Sequence, residues 1–196
     1  RPYFSGSSCV VTGTPVRKNL GHPIPREEAL KVFNLDPSRT TLLVTGGSQG
    51  ASGINQLLFK TAPLLPTENL QIIHLTGKND DRLAAANYQR DHIPHYVAPF
   101  HHRMEEAYSA ADLVVSRAGA SSLSELAMFG LPSILIPYPY ATDDHQKANA
   151  EIFVRAGAAE LINEREIQPE VFSSALSKWI GNPERRSAMA AAARQL

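Results

Sequence analysis

Cysteine is almost missing from this chain of 196 residues, where Cys9 stands alone. One thiol cannot close an internal disulfide, and such usage fits a reducing compartment. Long apolar runs are missing too. None approaches the roughly 18 residues of a membrane-spanning helix, and no signal-peptide pattern is present. Neither sign of charge is in excess, with 19 basic residues against 19 acidic ones. With no basic stripe and no RNA-reading motif, nucleic acid is not an expected partner. D-x-D, H-E-x-x-H and C-x-x-C are all absent, so no spacing supports a metal site. The pairs His92/His95 and His101/His102 lack acidic or thiol companions and read as surface or hinge histidines. No Ser-His-Asp order stands out, and catalysis confined to these residues is poorly supported.

What is present is a regular alternation. Short apolar runs recur at residues 9–12, 41–45, 71–75, 96–98, 113–116, 133–136 and, weakly, 159–162. Most are continuous, as in strands buried on both faces. Amphipathic stretches at 26–33, 53–62, 80–88, 103–110, 122–129 and 146–156 separate them. This order predicts an α/β fold, a Rossmann-like doubly wound parallel sheet. Two helices, 169–180 and 183–195, close the chain, each opened by a proline in its first turn. The alanines at 188–193 offer only small side chains, so the last helix is expected to pack or to fray. The length suits one domain. The lead RPYFSGSS, residues 1–8, has the composition of an interdomain linker, and the chain reads as one half of a larger protein.

Three segments carry chemistry. Gly46-Gly47-Ser48-Gln49-Gly50 follows the run TLLV and precedes a helix expected near Ala51. Glycines let the backbone approach a phosphate closely, and the free N–H groups of a helix start favour an anion. The spacing is neither that of a dinucleotide fingerprint nor that of a Walker lysine loop. The bland alternative is a tight turn with Ser48 as helix cap.

Ser122 and Glu125 fit S-x-x-E, a capping box in which the glutamate satisfies a backbone N–H. The functional alternative puts Glu125 on a vicinal diol. On the helical pattern Leu123, Leu126, Ala127 and Gly130 form the buried face, with Ser122, Glu125 and Phe129 elsewhere. Both this helix start and the glycine turn follow strand ends, where open α/β sheets bind ligands. The third segment, Pro137-Tyr138-Pro139-Tyr140, is stiffened by its prolines, and Asp143 or Asp144 is expected to cap the helix that follows. Gln146 and Asn149 there suit sugar hydroxyls, and His145 reads by itself as a surface histidine.

The motifs TGTPVR (12–17), GGSQGA (46–51), VAPFHHRMEEAY (97–108), SRAGASSLSE (116–125), GLPSILIPYPYATDDHQKANA (130–150) and AGAAELI (156–162) cover nearly the whole chain. In them the sequence resembles the donor-binding half of the MurG family of glycosyltransferases. That resemblance implies the C-terminal domain of a two-domain GT-B enzyme. Such an enzyme transfers N-acetylglucosamine, with inversion and without a metal or cofactor, from UDP-N-acetylglucosamine to the lipid-linked muramoyl-pentapeptide of peptidoglycan synthesis. It implies that Gly47, Ser48, Gln49 and Gly50 hold the diphosphate with Arg17 nearby, and that backbone at His101 meets uracil with Met104 packing near the base. Glu125 would take the ribose hydroxyls, Ala120, Ser121 and Ser122 would line the sugar, and His145 and Gln146 would meet its hydroxyls.

Two positions depart from the family pattern. His145 stands where some members have a second glutamine, and His101 replaces an aliphatic residue. The resemblance further implies a cytoplasmic protein, peripheral at the inner face of the plasma membrane. Its general base, acceptor site and membrane contact would lie in an N-terminal domain beyond these residues. Alternatives are a related GT-B transferase with another sugar nucleotide or a diacylglycerol acceptor, a donor-binding subunit inactive on its own, and a two-domain epimerase.

Overall fold

The computed structural model of the chain describes residues 14–18, 20–47, 51–141, 144–165 and 167–196. Six strands, β1 (Thr40–Thr45), β2 (Leu70–Leu75), β3 (His95–Ala98), β4 (Leu113–Ser116), β5 (Ser133–Leu135) and β6 (Ala159–Leu161), pair in parallel in the order β3-β2-β1-β4-β5-β6. The register places Leu42 of β1 between Ile72 of β2 and Leu113 of β4. Between them run α1 (Arg26–Val32), α2 (Ser52–Thr61), α3 (Asp81–Arg90), α4 (Met104–Ala110), α5 (Ala120–Phe129) and α6 (His145–Arg155), followed by α7 (Pro169–Ile180) and α8 (Pro183–Ala193). The six apolar runs from residue 41 onward all become strands. The run at 9–12 lies outside the described residues.

The strands read as continuous apolar runs because helices cover both faces of the sheet. Leu42, Val44, Ile72 and Val115 face α2, α3 and α7 through Leu58, Tyr88, Phe172 and Leu176. Leu43, Ile73, Val114 and Leu135 face α1, α4, α5 and α6 through Leu30, Ala107, Leu126 and Phe153. The alanine-rich α8 joins both layers, with Met189 buried in the first and Ala193 in the second. Its small side chains therefore serve close packing.

Two local expectations are corrected. Helix α5 begins at Ala120 with Gly119 at its cap, so Ser122 is the third helical residue and no capping box forms with Glu125. Phe129 and Glu125 are buried, against the expected face. Tyr108 of α4 explains Phe129, because their rings meet at 5.2 Å and widen the covered stripe of α5. Asp144 does occupy the cap position of α6, yet its backbone is left-handed (φ 50) and its side chain makes no capping bond.

The sheet order reverses between β1 and β4, and that switch opens a crevice beyond the carboxyl ends of the strands. A polar network stiffens one side of it. Buried His74 meets Tyr88 Oη through Nδ1 at 2.8 Å and Asn55 Oδ1 through Nε2 at 3.0 Å. Asn55 Nδ2 in turn donates to the Thr76 carbonyl at 2.9 Å and to Asp80 Oδ2 at 2.7 Å. This ties the start of α2 to the turn after β2.

Candidate functional site

A cavity of about 530 Å³ occupies the crevice. Strand ends supply its walls: Thr45 and Gly47 after β1, Gly77 and Lys78 after β2, and 99–102 after β3. Helices α4 and α5 add Met104, Tyr108, Ser121, Ser122 and Glu125, and Arg17 closes one side. Of the residues singled out from the sequence, Arg17, Gly47, His101, Met104, Ser121, Ser122 and Glu125 therefore meet around one space. Ala120, His145 and Gln146 do not line it, and Ser48, Gln49 and Gly50 lie outside the described residues.

Glu125 is the central charge. Arg17 donates to it as a fork, Nε to Oε1 at 2.6 Å and Nη2 to Oε2 at 3.0 Å. Tyr108 Oη donates to Oε2 at 2.7 Å. Burial, then the negative charge of Glu125, raise the Tyr108 pKa well above its ordinary value, so the phenol stays a neutral donor. The hydrogen bond to Glu125 raises Arg17. A carboxylate gripped by a planar fork is also shaped to accept two hydroxyls of a vicinal diol. Since Arg17 is half exposed, that fork is open to exchange with a ligand.

Gly47 has a left-handed backbone (φ 78), and a Cβ built there would meet nothing within 4 Å, so its backbone faces open space. Helix α2 starts at Ser52 with Ala51 at the cap, which removes the reading of Ser48 as that cap. The side chain of His101 is committed elsewhere. Nε2 meets Glu106 Oε2 at 2.8 Å, and the ring packs on Phe33 at 5.1 Å. Any uracil contact at this position falls to backbone.

Beyond β5, Arg117 anchors the proline loop. It is 8% exposed, and Nη1 donates to the Ile136 and Pro137 carbonyls and to Glu164 Oε2. The Glu164 carboxylate lies where a side chain on Gly53 would sit, so any larger residue there has to displace it. Gln146 Oε1 accepts from the Tyr138 amide at 3.0 Å, and Asn149 Nδ2 donates to the Ala118 carbonyl at 3.2 Å. Both side chains expected to meet sugar hydroxyls hold loops in place here.

Sequence reasoning missed Tyr108, Gly77 and Lys78. Gly77-Lys78 had a readable signal, a second strand-to-glycine turn in LTGKND with the same logic as the first. Tyr108 had none, because its role comes from the approach of α4 to α5. Among the described residues no group of three or more His, Cys, Asp or Glu could hold a metal ion, and no helix is long and apolar enough to cross a membrane.

The family model for the glycosyltransferase family 28 C-terminal domain matches residues 41–196. This chain belongs to that family. Among curated relatives it is 44% identical over 186 residues to the UDP-N-acetylglucosamine–N-acetylmuramyl-(pentapeptide) pyrophosphoryl-undecaprenol N-acetylglucosamine transferase of Thermodesulfovibrio yellowstonii, covering 93% of this chain and 50% of that protein. It is 40% identical over 182 residues to the transferase of the same name from Aquifex aeolicus, covering 91% and 51%. The chain thus spans about half the length of these relatives. The crystal structure of Acinetobacter baumannii MurG superposes with a TM-score of 0.75 at 31% identity, over 94% of this family 28 domain and 53% of that chain. The C-terminal domain of the glycosyl transferase group 1 protein LpcC from Francisella tularensis, at 14% identity and a TM-score of 0.66, shares the fold over 92% of this chain and 95% of its own. The expected fold, that of a GT-B C-terminal domain, is the fold found.

Proposed function

We propose that this chain is the donor-binding domain of an N-acetylglucosaminyltransferase of peptidoglycan synthesis, holding UDP-N-acetylglucosamine for transfer to a lipid-linked muramoyl-pentapeptide. The observation that carries the reading is the placement of buried Glu125, paired with Arg17, in the same 530 Å³ cavity as Gly47 and His101. That volume suits a nucleotide. A carboxylate fork for a diol and the open glycine backbone at Gly47 for a diphosphate match its parts. The names of the relatives supply the sugar, the acceptor and the reaction.

In this reading the diol of the ribose exchanges with Arg17 on Glu125. The freed guanidinium then turns toward the diphosphate held at Gly47, Ser48, Gln49 and Gly50. Fixed donors aimed at the departing UDP stabilise the charge that develops as the anomeric bond breaks, an effect of several kcal/mol in comparable sites. Uracil lies against backbone at His101 and beside Met104. The sugar extends past Ser121 and Ser122 toward Ala120, His145 and Gln146. For Gln146 this requires letting go of the Tyr138 amide, so the proline loop adjusts as the sugar enters. Residues 1–8 act as a linker, and the general base, acceptor pocket and attachment to the inner face of the plasma membrane belong to a partner domain outside these 196 residues.

Calorimetry on Glu125→Gln tests the reading. UDP should weaken at least tenfold while a uracil-free, ribose-free diphosphate binds unchanged. Equal UDP affinity in variant and parent would remove the assignment. Competition by UDP-galactose as strong as that by UDP-N-acetylglucosamine would favour another family 28 donor.

A further inference from the structure

A second pocket, of about 400 Å³, lies at the opposite end of the sheet, where β4 and β5 begin, between α1, α5 and α8. Three arginines line it, Arg26, Arg186 and Arg194, against one carboxylate, Asp112. That carboxylate is already engaged, since Oδ2 accepts from Arg26 Nη2 at 2.7 Å and from the Thr41 amide at 2.8 Å. Arg26 also donates to the Pro37 and Arg39 carbonyls, at 2.9 and 2.8 Å. Arg26 Nε is buried with no partner among the described residues. Arg186 is pinned, with Nη1 donating to the Trp179 and Ile180 carbonyls at 2.6 Å each. Its other nitrogens and the whole Arg194 guanidinium have no hydrogen bond or ion pair to a described residue. Burial lowers the pKa of Arg186, the nearby Asp112 carboxylate opposes that shift, and the charge of Arg26 adds a smaller lowering.

We propose that this pocket binds a phosphate group carried on a small organic body, with Arg186 and Arg194 as its charged clamp. Guanidinium forks match the oxygens of a phosphate in pairs, and a pinned arginine loses little freedom on binding. The apolar wall of Ile24, Leu131 and Pro132 gives the organic body something to lie against. Phosphate could arrive as a free phosphorylated metabolite or as the headgroup of an anionic lipid. The pocket is separate from the donor crevice and does not depend on the proposed donor role.

The test is calorimetric titration of the protein with inorganic phosphate at constant ionic strength, in parallel with sedimentation on vesicles of phosphatidylcholine with and without phosphatidylglycerol. Three variants accompany the parent: Arg186→Gln with Arg194→Gln, Arg194→Glu alone, and Gly47→Val in the donor crevice. Arg194 is exposed, so Arg194→Glu should fold even if the double variant does not, and it should bind UDP like the parent. At least tenfold weaker phosphate binding in Arg194→Glu, with Gly47→Val unaffected, is the expected result. The same pattern seen only on phosphatidylglycerol vesicles would support the pocket and identify a lipid headgroup as the source. Loss in Gly47→Val but not in Arg194→Glu would overturn the proposal and assign the phosphate to the donor crevice. Absence of binding to both probes would overturn it as well.

Discussion

Mild acid should loosen the crevice at the strand ends through His74. This side chain is fully buried on β2 and held by Tyr88 and Asn55, and burial lowers its pKa from 6.5 to about 3. The unfolded chain therefore takes up a proton that the folded one refuses. For a depressed pKa the stability is full above the unfolded value and is lost as pH falls below it. Each pH unit under 6.5 costs about 1.4 kcal/mol, so passing from pH 7 to pH 5 removes about 2 kcal/mol, and the loss continues toward pH 3. A native value one unit higher would alter this by less than about 0.1 kcal/mol at pH 5. Urea unfolding at pH 7, 6 and 5, followed by the fluorescence of buried Trp179, would measure it. His74→Gln keeps polar partners for Tyr88 and Asn55 but cannot titrate. The wild-type protein should lose about 2 kcal/mol more than this variant over the same interval. Parallel losses in the two proteins would refute the argument. Because Asn55 also holds the Thr76 carbonyl beside Gly77, UDP affinity should fall with pH in the same range and less so in the variant.

Other perturbations bear on the site directly. Tyr108→Phe removes a donor to a buried carboxylate and should cost about 1.5 kcal/mol in a melting experiment. It should also weaken UDP, since Glu125 loses a restraint, and unchanged binding would mean that Arg17 alone orients the carboxylate. Gly47→Val forces a branched side chain into a left-handed backbone and should abolish UDP binding while circular dichroism stays native. Gly53→Ala displaces the Glu164 carboxylate from Arg117 and should destabilise the fold by about 2 kcal/mol, a modest value for breaking a largely buried pair. A loss below about 0.5 kcal/mol, the range of ordinary surface changes, would show that Glu164 finds an equivalent place. The isolated chain should bind UDP-N-acetylglucosamine without transferring it, read by single turnover with a radiolabelled donor and a soluble acceptor analogue. Transfer by the chain alone would overturn the assignment of the base to another domain.

Local pattern by itself determined the element sequence. Residues 113–116 read as a strand because four consecutive positions avoid water, and the same residues form β4 between two neighbours. The proline openings of α7 and α8 and the glycine turn after β1 were likewise visible, since each depends on backbone conformations fixed within a few residues. Burial on a helix was less legible. Phe129 and Glu125 looked exposed because the periodicity of α5 shows one stripe and says nothing of a second neighbour.

Tertiary structure alone decided what Glu125 does. Its partners Tyr108 and Arg17 stand 17 and 108 positions away along the chain, and S-x-x-E pointed instead to a cap. It also brought Gly77 and Lys78 to the cavity wall, took Gln146 to the Tyr138 amide, and set Arg26 of α1 beside Arg186 and the C-cap Arg194 of α8 around one pocket. The physical reason is range. Periodicity and turn chemistry record what each segment needs from its immediate surroundings, whereas the order in which six strands pair is set by packing summed over the whole sheet, and that order chooses which side chains meet.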